Sequence, residues 1–284
     1  MTKLYFAFVL ALCALPIAAE AQSPCTFTLF RANNDPTVPN RIDRYGNVVG
    51  FFMTPYNTTF GFFRAANGTI ERYSAPNSTS TELADRNSSA EMVGSYLDTA
   101  GTWHGFILQN KTFTVVDYPG STYTNLTGLN DAGTIVGLYQ TSASSNYQGF
   151  ELSNGTFTSI AYPGAASTMP EGINNTGRVT GQYANSGGLN QGFVLSGGNY
   201  STLNDPSGKA GTTLMGNNAT AIVGNADISM AVPTQGFLYH SGNFTNIVVP
   251  NASFDTANGI NANGVITGTA SMSDGYHGYI AHCH

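Results

Sequence analysis

Short stretches of alternating apolar and polar residues, separated by glycine- and asparagine-rich turns, recur along this chain with a period of about 43 residues. Gly-Phe or Gly-Tyr pairs begin at Gly61, Gly105, Gly149, Gly192, Gly236 and Gly278, and glycines that follow an apolar, β-branched or similar residue fall at Gly50, Gly94, Gly137, Gly181, Gly224 and Gly268. The third unit gives the pattern in full: a strand over Thr124 to Asn130, a turn at Asp131-Ala132-Gly133, and a strand over Thr134 to Gln140. A polar stretch follows, then a strand over Tyr147 to Leu152, the hairpin signal Asn154-Gly155, and a strand over Thr156 to Tyr162. We name these four strands A, B, C and D. Four short strands per unit at a period of 40–45 residues predict a propeller.

The ends of the chain complement each other. The last unit supplies strands A, B and C and stops at His284, while Cys25-Thr26-Phe27-Thr28-Leu29-Phe30 resembles the D strands Thr112-Phe113-Thr114-Val115 and Thr156-Phe157-Thr158-Ser159. The fold class predicted is therefore all-β, a six-bladed β-propeller of four-stranded antiparallel blades, its ring closed by the N-terminal strand completing the last blade. The second unit departs from the others, with two extra residues around Asn87 to Ala90. The strand-B glycines are expected to let a neighbouring sheet approach. The strand-C aromatics, and Phe52, Tyr96, Tyr139 and Tyr183 after the strand-B glycines, are expected to fill the core between blades.

Residues 1–21 carry Lys3, an apolar run from Leu4 to Ala18 and the small-x-small triplet Ala19-Glu20-Ala21, which predicts a signal peptide and export, leaving 22–284 as one propeller domain. The apolar run is too short for a comfortable membrane span. Loss of Cys13 with the leader leaves Cys25 and Cys283, and an even pair in an exported chain reads as a disulfide. The closure places both at one spot, where a link across so long a loop is worth roughly 4–5 kcal/mol. A secreted or periplasmic location and a monomer are expected. With 9% charged residues and a formal net charge of −6, the chain lacks the basic face that nucleic acid requires.

The sequence His/Gln-Gly-Phe, then Asn-Gly, Pro-Gly, Gly-Ile-Asn-x-x-Gly and Ile-Val-Gly resembles the repeats of the bacterial extracellular HAF-repeat family, whose members carry His-Ala-Phe where this chain has His104-Gly105-Phe106. The resemblance covers nearly all of 22–284. It implies secretion and a repeated β architecture, and it transfers no catalytic residue.

Candidate chemistry is sparse. Glu82 and Glu171 occupy matching strand-A positions, three residues before Asp85 and Asn174, and strand A lines the channel of a propeller. Paired carboxylates there would serve as acid and base in polysaccharide cleavage, although packing as two hydrated polar residues is the commoner outcome. Trp103, His104, Tyr123 and Tyr147 could form a stacking platform for sugar, against the alternative of packing between blades. His104 and His277 stand where other units have Gln148, Gln191 and Gln235, an exchange that fits hydrogen bonding to backbone. His282-Cys283-His284 alternates along a strand, but a tail already paired through Cys283 is a weak ligand set, so no metal is expected. No phosphate loop or nucleophile elbow occurs, so no cofactor is expected. The variable B–C connections point to that face as the binding face. The expected function is a secreted non-catalytic binding or scaffold propeller for an extracellular glycan or protein. The alternative is a polysaccharide hydrolase or lyase working in the axial funnel.

Overall fold

The computed structural model describes residues 25–229 and 232–283; the leader expected over residues 1–21 lies outside them. All regular structure there is β. Strand β1 spans Cys25–Phe30, and blade one follows as β2 (Thr37–Ile42), β3 (Val48–Met53), β4 (Thr59–Arg64) and β5 (Ile70–Tyr73). Blade two is β6 (Ser78–Arg86), β7 (Met92–Asp98), β8 (Trp103–Gln109) and β9 (Thr112–Val115). Blade three is β10 (Tyr123–Leu129), β11 (Ile135–Thr141), β12 (Ser144–Ser153) and β13 (Thr156–Ile160). Blade four is β14 (Thr168–Ile173), β15 (Val179–Ala184), β16 (Asn190–Ser196) and β17 (Asn199–Thr202). Blade five is β18 (Gly211–Asn217), β19 (Ala221–Ser229), β20 (Val232–His240) and β21 (Asn243–Asn246). Blade six is β22 (Phe254–Ile260), β23 (Ile266–Met272) and β24 (Gly275–Cys283), completed by β1.

Strand β1 pairs antiparallel with β24, from Cys25 opposite Cys283 to Phe30 opposite Gly278, and the two cysteines form a disulfide. Six buried apolar clusters lie between successive blades. One of them joins Val265 and Ile280 of blade six to Ile42, Val48 and Phe62 of blade one, so the interior is continuous around the ring. The strand-C rings Phe62, Phe106, Phe150, Phe193, Phe237 and Tyr279 are fully buried, which gives each interface a large apolar centre.

The two glycine series have separate tasks. A Cβ on the strand-B Gly94 would strike the Glu82 carbonyl and the Phe106 ring of its own blade. On the strand-C Gly105 it would strike Leu126, from strand A of the next blade. The close approach between blades therefore belongs to strand C, not to strand B as the sequence pattern implied.

The second unit has no extra residues. Asn87-Ser88-Ser89-Ala90 closes as the other A–B turns do, with Ala90 N–H donating to Asn87 as Gly46 donates to Asp43 and Gly133 to Asn130. Ala90 takes the glycine's place at φ 63°. A left-handed alanine costs roughly 1–2 kcal/mol, part of which glycine gives back in the unfolded chain. Ala90→Gly is expected to stabilise the protein by about 1 kcal/mol, read as a higher urea midpoint; an unchanged or lower midpoint would show that the turn is not strained.

Candidate functional site

Each strand A carries a β-bulge just past the residue that faces the strand-B glycine: Asn40, Ala84, Thr127, Glu171, Met215 and Asn258 are the extra residues there. A bulge re-aims the local backbone, and here carbonyls of five bulges meet one cation on the axis. Arg41 donates to the carbonyls of Asn40 at 2.8 Å, Asn258 at 2.6 Å, Met215 at 2.9 Å, Thr127 at 3.4 Å and Glu171. Its Nε lies 3.8 Å from Asp85 Oδ2. After the bulge, the six blades hold Arg41, Asp85, Gly128, Gly172, Gly216 and Gly259 at one register position. A Cβ on Gly172 would meet the Met215 carbonyl at 2.8 Å and the Arg41 guanidinium at 3.1 Å, so glycine there makes room for the arginine.

Arg41 borders two cavities on the axis. The larger, about 280 Å³, opens among the A–B turns. Its polar wall is spent on itself. The side-chain amide of Asn130 donates to the Asn174 carbonyl, Asn174 to Asn218, Asn218 to Asn261 and Asn261 to Asp43, at 2.9–3.3 Å. The Asp43 carboxylate is paired with Arg86. This belt binds blade to blade around the ring and leaves few inward-facing groups for a ligand.

The smaller cavity, about 120 Å³, lies on the Asn40, Glu82, Asn125 side of Arg41. The structure brings Glu82 and Glu171 together there, beside Ser95, Asn125 and Thr127. They are not equivalent residues, however. Glu171 is a bulge residue whose counterparts are Ala84 in blade two and Met215 in blade five; Glu82 pairs with Ser95, one position ahead of Leu83 opposite Gly94. The error in register follows from the masked turn at Ala90. Burial raises Glu82 to about 7. Burial also raises Glu171 to about 7, against the opposing influence of Arg41 and of Gln182, whose Nε2 is 3.5 Å from Oε1.

These shifts fix a pH dependence. Between the ordinary carboxylate pKa of 4.5 and about 7 the unfolded chain has released protons that the native state still holds. Stability therefore falls as pH rises through that window and levels off above it, by up to about 3 kcal/mol for each group. The bulge counterparts Asn40, Thr127 and Asn258 each donate a side-chain hydrogen bond to a carbonyl of the next blade, at 2.8 Å. An ionised Glu171 cannot donate, whereas glutamine can. Glu171→Gln is expected to raise the thermal midpoint at pH 8 and to flatten its decline between pH 5 and pH 8; an unchanged pH profile would show that Glu171 titrates normally.

Three of the aromatic candidates form a chain of ring contacts that Tyr123 brings near this cavity, close enough to feel Glu82 and Glu171. The Trp103 and Tyr123 ring centroids are 6.4 Å apart, and Tyr123 meets Tyr147 edge to face at 5.5 Å. Burial, the neighbouring Tyr147 and the nearby Glu82 and Glu171 push the Tyr123 hydroxyl up to about 12. All three side chains are half-buried, unlike the fully buried strand-C rings. His104 stands apart from them. Its Nδ1 lies 2.7 Å from Asp117 and its Nε2 3.4 Å from Asp98, and the ring stacks on Tyr96. Burial opposes the charged ring, but the two aspartates outweigh it and raise the His104 pKa. Its partners are carboxylates, not backbone as its exchange with glutamine implied. The glutamines do bind backbone: Gln148 donates to Ala166 at 3.1 Å, and Gln235 to Ile247. Among the described residues no group of three or more His, Cys, Asp or Glu could hold a metal, and His284 lies outside them. No helix there is long and apolar enough to cross a membrane.

Sequence reasoning missed Arg41. The signal was one arginine and one aspartate among four glycines at a single position of the repeat.

No family model and no curated protein matches the sequence. Solved structures share its fold at low identity. TolB from Acinetobacter baumannii is 11% identical with a TM-score of 0.59, the match covering 83% of this chain and 63% of that one. A fungal lectin from Aleuria aurantia, a six-bladed β-propeller with a fucose recognition mode, is 13% identical over 87% of this chain and 91% of its own, with a TM-score of 0.54. AofleA from Arthrobotrys oligospora is 13% identical over 93% and 94%, with a TM-score of 0.55. The chain has the fold of a six-bladed β-propeller.

Proposed function

We propose that this protein is an exported, non-catalytic binding propeller that takes an extracellular glycan or protein on the face of its B–C connections. The observation that carries the reading is the half-buried cluster of Trp103, Tyr123 and Tyr147, whose Tyr123 lies near the cavity carboxyls Glu82 and Glu171. Aromatic surface beside a few convergent polar groups is the usual make-up of a ligand site. The self-satisfied Asn belt argues for a structural role on the opposite face. The disulfide fits an oxidising compartment. The resemblance to HAF-repeat proteins and the sugar recognition of the Aleuria lectin fit the same reading. A glycan array and a pull-down from extracellular material test it. Retention of a glycan or protein that is lost in Trp103→Ala is expected; no retained species at any concentration overturns it.

The second reading, cleavage of a polysaccharide in the funnel, is favoured by one observation: both carboxylates lie in one cavity and are raised to about 7. Against it stand the volume of about 120 Å³, below the roughly 300 Å³ at which ligand pockets begin, and the arginine on the floor. Loss of a polysaccharide-cleaving activity in Glu171→Gln would support that reading, and full activity would end it.

A further inference from the structure

The six units place six residues at the inner start of strand A, three positions before the residue that faces the strand-B glycine: Pro36, Ser80, Tyr123, Ser167, Gly211 and Phe254. Only blades three and six hold an aromatic ring there. Two residues before the strand-C glycine, Trp103, Tyr147 and Tyr276 are aromatic in blades two, three and six, so only blades three and six combine both positions. The paired rings have nearly the same geometry: Tyr123 and Tyr147 lie 5.5 Å apart at 64°, Phe254 and Tyr276 6.0 Å apart at 68°. Units three apart in a ring of six face each other across its axis. The two edge-to-face pairs thus mark opposite ends of one diameter of the funnel mouth, with Trp103 extending the blade-three end. Other tyrosines are spent on each other: Tyr118 lies flat on Tyr139 and Tyr162 on Tyr183, each at 3.6 Å. The edge-to-face pairs leave ring surface uncovered, and Tyr276 is 37% exposed.

We propose that this diameter is a binding track for a linear, non-acidic polysaccharide, laid across the funnel with its arms on the Tyr123–Tyr147 and Phe254–Tyr276 pairs and its middle sugars over Glu82 and Glu171. The proposal rests on the binding reading above and deepens it. Pyranose rings present apolar C–H faces that pack on aromatic rings, while their hydroxyls need hydrogen-bond partners. Glu82, Asn125 and Glu171 of the axial cavity would supply them. A proline-rich peptide would use the rings but has few donors for two carboxyls. The net charge of −6 and the carboxyl floor disfavour uronic chains and nucleic acid alike. Two anchors on opposite sides of the axis serve an extended ligand, since a single sugar reaches only one of them.

Titration calorimetry with cello- and chito-oligosaccharides of one, three and six units, and with an oligogalacturonate of six units, tests this on the purified full-length mature protein. The six-unit chain of at least one neutral series is expected to bind more than about tenfold tighter than its single sugar. Phe254→Ala and Tyr123→Ala are each expected to weaken the six-unit chain by about tenfold or more, as anchor residues do. Tyr276→Ala removes the most exposed of these rings and keeps the test valid if Phe254→Ala fails to fold. Equal affinity for one and six units, preference for the acidic chain, or full affinity in the blade-six variants overturns the track while leaving a glycan-binding propeller standing. Capture of a protein with no saccharide bound overturns the glycan and keeps the binding reading. A protein that retains neither ends both.

Discussion

Arg41→Met is expected to cost about 3–5 kcal/mol of stability, the range found when one partner of a buried ionic network is removed. The side chain of Arg41 is only 11% exposed, and its guanidinium serves carbonyls from blades one, three, four, five and six. Methionine fills a similar volume but donates nothing, so five converging carbonyls lose their donor and repel one another. Each buried orphan costs about 1–3 kcal/mol, less where water from the flanking cavities can enter. Asp85 suffers as well. Burial has already raised its carboxyl to about 6, and Arg41 is the cation that restrains the rise. The variant's urea midpoint should therefore fall more at pH 8 than at pH 5, because the unpaired Asp85 is charged only at the higher pH. Arg41→Lys, with one compact charge in place of a planar fork, should recover only part of the loss. Free guanidinium at low millimolar concentration should restore part of the stability of Arg41→Met by occupying the vacated seat. A wild-type midpoint in Arg41→Met would show that the axis is held by packing alone.

The second large effect concerns the disulfide. Cys25 and Cys283 are 258 residues apart, so the bond removes a very long loop from the unfolded ensemble, worth up to about 5 kcal/mol on the chain-entropy account. The paired variant Cys25→Ala, Cys283→Ala is expected to lose about 3–5 kcal/mol, a fall on the order of 10 °C in the thermal midpoint. The β1–β24 ladder and the contacts of Phe27 with Tyr279 remain, so the fold should persist. Limited proteolysis separates the possibilities. Cleavage in the variant should begin near β1, the strand whose covalent tie is lost. Coincident midpoints for oxidised and reduced protein would mean that the bond adds nothing to the hydrogen-bonded closure.

The architecture was legible in the sequence because it rests on features that repeat. Glycine before Phe or Tyr recurs at every interface, and a terminal strand resembling the other D strands showed where the chain closes. What was lost traces to single residues. Ala90 occupies a left-handed position that glycine fills in most other turns, so the second unit seemed longer than it is. That shift placed Glu82 opposite Glu171, whereas the backbone sets Ala84 there. The two carboxyls nonetheless share a cavity, because Glu82 lies two residues before Ala84 and alternate residues of a strand share a face, so both line it. Arg41 was hidden for a related reason. A bulge breaks the two-residue alternation, so alternation cannot say which side chain points inward. Phe254 and Tyr276 went unmarked although their counterparts in blade three were singled out; the symmetry that joins them is one of three repeats, not of neighbours.

The pairing of β1 with β24 has a consequence for biogenesis. Synthesis proceeds from the N-terminus, so β1 waits for β24 before it finds its place. Until the two meet, β1 and then the outer edge of β24 stay unpaired, and contacts of such sequence separation form late. Two chains at this stage can each lend the other its first strand, giving a domain-swapped dimer that is built from native contacts and then trapped by an intermolecular Cys25–Cys283 bond. Refolding yield should accordingly fall with protein concentration, and the lost fraction should appear as disulfide-linked dimer on non-reducing gels.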